Sequence, residues 1–165
     1  MDTRKYLLAL IVISFIFKVG LAQNSLSVTN RNTTTFDMTS IIAAGNHTEM
    51  VVDNSQWMNY SFTVSPSDPP GSITVSIASG VIPPGMEIYI QAGYENGFGH
   101  GKTGKPTGKI KLSNIPSVLI NDIGTSYTGN GKHKGHQINI SIMITDFALL
   151  QPGNYTLNLQ YTLKQ

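Results

Sequence analysis

The 165-residue sequence contains no cysteine. That excludes disulfide staples, thiolate metal sites and thiol nucleophiles, so a folded state rests on burial and hydrogen bonding alone. Charge is scarce as well, with Asp, Glu, Lys and Arg together only 12% of the residues, and aromatic residues only 8%. The formal net charge is +2, and Arg4, Lys5 and Lys18, balanced there by Asp2 alone, all lie in the first 22 residues. The remainder is therefore near neutral, which argues against nucleic acid as a partner, because phosphate binding needs a clustered basic surface. No helical periodicity appears after residue 22, and the one long apolar run, 7–17, is shorter than the roughly 20 residues a bilayer-spanning helix needs.

That run reads as the centre of a secretory signal peptide over residues 1–22. Arg4 and Lys5 supply the positive start, and Gly20 and Ala22 the small residues before a cleavage site. Cleavage after Ala22 leaves one domain, 23–165, and no stable membrane insertion. Attachment to a membrane would be non-covalent or through a partner, since neither a lipobox cysteine nor a second apolar segment is present. An exported chain without cysteine suggests a bacterial envelope: periplasm, cell surface or extracellular space. Asn-X-Ser/Thr triplets begin at Asn32, Asn46, Asn59, Asn139 and Asn154, a number that chance supplies in a chain this rich in Asn, Ser and Thr.

The strongest pattern lies in 135–163. Ile138, Ile140, Ile142 and Ile144 alternate with polar residues, and after the turn at Pro152-Gly153 so do Tyr155, Leu157, Leu159, Tyr161 and Leu163. Side chains of a strand point alternately to opposite faces, so this period of two marks half-buried antiparallel strands with one wet side. The same alternation predicts strands over 57–64, with Met58, Tyr60, Phe62 and Val64 inward and Asn59 outward, and around Ile73, Val75 and Ile77 and around Met86, Ile88 and Ile90. Short strands are expected at 109–112 and 118–120. Residues 93–108 and 124–135 are rich in glycine and poor in aliphatics and read as loops. Residues 23–35 are either a flexible tail or a first strand, and 36–44 form a short apolar stretch. About seven or eight short strands with turn punctuation predict an all-β fold, an immunoglobulin-like antiparallel β-sandwich, with a closed barrel as runner-up.

Chemistry is harder to find. The stretch from Gly97 to Lys102-Thr103 imitates a phosphate-binding loop, but Asn96 stands where its first glycine belongs and no helix pattern follows. His133 and His136 are two imidazoles three residues apart, short of the three or four donors that a metal site requires, and read as members of a solvated loop. The carboxylates are scattered, and neither a hydrolase dyad nor a calcium loop can be assembled from their spacing. No catalytic residue, cofactor or metal ligand is assigned, and the chain is read as non-catalytic. Tyr94, Phe98 and Tyr127 are the aromatic residues whose loop positions suit stacking on sugars.

The segments Trp57-Met58-Asn59-Tyr60, Pro69-Pro70-Gly71, Pro83-Pro84-Gly85, 123–131 and 153–163 resemble small secreted proteins of Bacteroidota, similar in pattern to fimbrial subunits and spore-coat-U proteins. The resemblance implies a β-sandwich and a structural, fimbria-like or adhesin-like role. It also implies an alternating final strand, here Tyr155, Leu157, Leu159, Tyr161 and Leu163, that meets a periplasmic chaperone or like subunits. The alternative is a carbohydrate-binding module that uses Tyr94, Phe98 and Tyr127 on a polysaccharide.

Overall fold

The computed structural model describes residues 24–29, 49–151, 153 and 155–165. The expected signal peptide, the apolar stretch 36–44 and the triplets at Asn32, Asn46 and Asn154 lie outside the described residues. Nine strands follow in order: β1 Ser25–Thr29, β2 Glu49–Phe62, β3 Gly71–Ser79, β4 Met86–Glu95, β5 His100–Pro106, β6 Lys109–Lys111, β7 Ser117–Tyr127, β8 His136–Ile144 and β9 Asn158–Lys164. A 3-10 turn at Phe147–Leu149 is capped by Asp146, whose carboxylate accepts from the Ala148 amide at 2.8 Å.

All nine strands join one antiparallel sheet, in the order β6-β4-β8-β2-β7-β3-β9, with β1 beside β2 and β5 beside β7. The pairing falls into two ladders, β6-β4-β8-β2-β1 and β5-β7-β3-β9, which meet where Ser61 and Phe62 of β2 face Tyr127 and Ser126 of β7. Threonine hydroxyls extend that two-residue junction by standing in for peptide groups. Thr128 accepts from the Tyr60 amide at 2.8 Å and donates to the Tyr60 carbonyl at 3.2 Å, and Thr125 does the same for Val64, at 3.0 Å in each direction.

The alternation read in β2, β3, β4 and β8 places Met58, Tyr60, Phe62, Ile73, Val75, Ile88, Ile90, Ile138 and Ile142 in one buried cluster. Leu119, Ile120 and Ile123 of β7 join it, so both ladders contribute to the same core. Burial of this apolar surface is the main stabilising term for a chain without covalent cross-links.

The strand count exceeds the expected seven or eight because one segment read as a loop, β5, is paired, and a second such segment lengthens β7. Gly101 and Gly104 have φ of +80° and +81°, a conformation that glycine adopts without strain. Opposite Gly101, the register against β7 slips by one residue, and Gly101 lies so close to β7 that an added Cβ would stand 2.1 Å from the Thr125 carbonyl oxygen. These are bulged strand positions, and their glycines hide the strand from a search for aliphatic alternation. The second segment is the end of β7, which continues to Tyr127 past a bulge at Asp122, whose φ is +58°. Lys102 and Lys105 of β5 both pair with that carboxylate and hold it below its ordinary pKa. The polar side of β2 and β8 is also less wet than expected: Asn59 and Ser141 are buried.

The glycine requirement in β5 is testable. Gly101→Ala is expected to lower unfolding free energy by more than about 1 kcal/mol, measured by urea denaturation, whereas Gly108→Ala should cost less, because an added Cβ there meets nothing within 4 Å.

Candidate functional site

Two regions gather the residues to which the sequence assigned a role. The first is the face of β9. Residues 157–161 line an open cleft of about 640 Å³ together with Tyr155. Its other wall is Leu26, Ser27 and Val28 of β1, and its floor includes Met86, Ile88, Leu112 and Ile140. Leu163 lies beyond this cleft and lines a second hollow of about 420 Å³ with Tyr161, Asn24 and Phe62. Tyr155, Leu157, Leu159, Tyr161 and Leu163 are only half-buried, so the apolar face of β9 is not fully covered by the described residues. Among those residues β9 pairs with β3 and β1 with β2, and no ladder joins β1 to β9.

The Tyr161 Oη is out of contact with solvent and makes no hydrogen bond among the described residues. Burial, with the negative charge of Asp53 adding to it, pushes this phenol well above its ordinary pKa. A buried donor left without an acceptor costs on the order of 1–3 kcal/mol.

The second region is the end of the sheet where the turn 96–99 and the loop 128–135 meet. Asn96 ties them together, its amide donating to the Gly135 carbonyl at 3.1 Å and its side chain to the His133 carbonyl at 3.0 Å. The Glu95 carboxylate fixes the turn by accepting from the Gly97 and Phe98 amides at 2.8 and 3.0 Å. Asn59, expected to face outward into water, is instead covered by the loop and pins it, donating to the Lys134 carbonyl at 2.7 Å and accepting from the Gly131 amide at 3.2 Å. Gly135 makes this fit possible: its φ is +73°, and a Cβ would stand 2.1 Å from the Met58 carbonyl oxygen. His133 lies on Trp57, ring centres 5.3 Å apart.

Of the three candidate sugar-stacking residues, Tyr94 is 79% exposed, Phe98 56% and Tyr127 46%. Phe98 belongs to the pinned turn, and Tyr127 pairs with His100 two residues further on. His133 and His136, three residues apart in sequence, part company here: His133 is exposed, whereas His136, read as part of a solvated loop, is fully buried. Its Nδ1 is 2.8 Å from the Gly93 carbonyl oxygen, and its Nε2 is 2.9 Å from Tyr60 Oη and 3.1 Å from the Thr103 carbonyl oxygen. Tyr60 also donates to Thr103 and stacks on the imidazole. Both ring nitrogens face acceptors, so the neutral imidazole donates through one of them, from Nδ1 to Gly93 or from Nε2 to Thr103 or the Tyr60 oxygen. Burial depresses the His136 pKa, against the opposing pull of the two carbonyls and Glu95. His136 thus links β8, β2, β4 and β5 as a structural residue, a role for which spacing carried no signal. Among the described residues no group of three or more His, Asp or Glu could hold a metal.

No family model, curated protein or solved structure matches this chain. Its chemistry is therefore argued from these two regions alone.

Two outcomes follow from the buried groups. Because the folded state binds the His136 proton less tightly than the unfolded chain, unfolding free energy should fall as pH drops below about 6.5 and level off once the folded imidazole is titrated. Urea titrations between pH 7 and 5 measure this, and His136→Gln, though less stable throughout, should remove most of the slope. Tyr161→Phe removes the unpartnered hydroxyl and should leave stability unchanged or raise it by about 1 kcal/mol.

Proposed function

We propose that this chain is a non-catalytic, exported structural subunit, fimbria-like or adhesin-like, in which the two ladders face each other as a β-sandwich and like subunits assemble through the β9 cleft. The observation that carries this reading is the half-covered apolar face of β9, which lines the cleft beside an edge that is unpaired among the described residues. An extended segment adds to such an edge by main-chain hydrogen bonds and fills the pockets with alternate side chains. β9 contains no proline, and its one charge is Lys164 at its last position. The signal peptide expected at 1–22 supplies the route out of the cell, to the periplasm, the cell surface or beyond. A periplasmic chaperone would engage the same face before assembly.

A second reading, a carbohydrate-binding module, is favoured by the exposure of Tyr94, Phe98 and Tyr127 at positions held by paired strands and a pinned turn.

Light scattering coupled to size exclusion tests the subunit role. The processed protein, starting at Gln23 by N-terminal sequencing, should form concentration-dependent oligomers. Leu157→Asp in the cleft should shift these toward monomer while the β-type circular dichroism spectrum is kept. A processed protein that stays monomeric at millimolar concentration would contradict the subunit role.

A further inference from the structure

We infer that the pinned end formed by the turn 96–99 and the loop 128–135 binds an acidic polysaccharide, taking a uronate sugar against Phe98 with its carboxylate on Lys132 and Lys134. This rests on the carbohydrate-binding reading and names the ligand class.

The cations of this chain are unevenly placed. Six of its eleven Lys and Arg residues lie between Lys102 and Lys134, a stretch with Asp122 as its one carboxylate. Four of these six have partners on the strands: Lys102 and Lys105 pair with Asp122, Lys111 with Glu87 at 2.6 Å, and Lys109 lies over the Tyr89 ring at 4.5 Å. Lys132 and Lys134 differ. Both are exposed, and neither pairs with a carboxylate among the described residues. Like Lys109 over Tyr89, the Lys134 ammonium lies over an aromatic ring, that of the exposed Phe98, at the longer distance of 6.0 Å from its centre. One pyranose can therefore touch the ring with its apolar face and the ammonium with its carboxylate. The nearest carboxylate on the turn, Glu95, has both oxygens engaged by the Gly97 and Phe98 amides.

The site is also built in advance. Asn59 is 1% exposed and directs its side chain at the loop backbone, and Asn96 fastens loop to turn. Binding groups held on a rigid frame lose little entropy when the ligand arrives. The chemistry favours a sugar over other polyanions. Nucleic acid calls for a broader basic surface, and a membrane surface for a wider apolar face than one phenyl ring.

Biolayer interferometry of the full chain's secreted product over immobilised polygalacturonate tests the assignment, with neutral galactan, polyglutamate and phosphatidylglycerol vesicles in parallel. Polygalacturonate should bind best. Lys132→Ala/Lys134→Ala and Phe98→Ala should each weaken it about tenfold or more, the size expected for losing one good contact, and Lys164→Ala should not. Equal binding of galactan, lost with Phe98→Ala but not with the lysine pair, would overturn the acidic assignment and leave the carbohydrate reading standing. Binding to no polysaccharide would overturn both. Equal binding of polyglutamate or vesicles, or polygalacturonate binding unmoved by the variants, would reduce the site to unspecific charge and overturn the proposal.

Discussion

Ser61 and Phe62 pair with Tyr127 and Ser126 over two residues, and this short junction joins the two ladders into one sheet. The rest of the fold depends on the strand that makes it. β2 holds β8 along 49–58 and β1 along 57–61 before its last two residues cross to β7. Its side chains carry the same load in the interior, since Met58, Tyr60 and Phe62 sit in the common core and the Tyr60 hydroxyl reaches both His136 of β8 and Thr103 of β5. With no cysteine to staple the ladders, backbone pairing, buried area and this polar node must do so together.

That arrangement explains where the chain can meet partners. The ladders are tied at β2 and β7, whereas β1 and β9 line a cleft without a ladder between them. The half-covered side chains and the lone Tyr161 hydroxyl belong to this untied side. At the sheet end, Asn59 hydrogen-bonds the 131–134 backbone and His133 lies on Trp57, which fastens a glycine-rich segment to the sheet with Lys134 near Phe98.

Much of this was legible in the sequence, and what was not has specific physical causes. Alternation located β3, β4, β8, β9 and the second part of β2, from Trp57, because a half-buried strand must repeat every second residue. It began β9 too early, at Tyr155, since alternation reports side-chain facing and the ladder itself starts at Asn158. It missed β5, where glycines at positive φ replace the aliphatic signal, and it cut β7 short, where the bulge at Asp122 breaks the period. Asn59 and His136 were placed in water because residues distant in sequence bury them: the 131–134 backbone covers Asn59, and the carbonyls of Gly93 and Thr103 close over His136. The exposed aromatics of the candidate site were found, but the lysines beside them were not singled out. Pairing with Asp122 and Glu87 engages Lys102, Lys105 and Lys111, and such pairs form only in the folded chain.

Native-state amide hydrogen exchange tests the dependence on β2 most directly. The amides of residues 57–62 should exchange only through global unfolding, at the highest free energies in the protein, while those on the outer edge of β9 exchange early. Protection persisting in β3, β7 and β9 after residues 57–62 have opened would contradict the account.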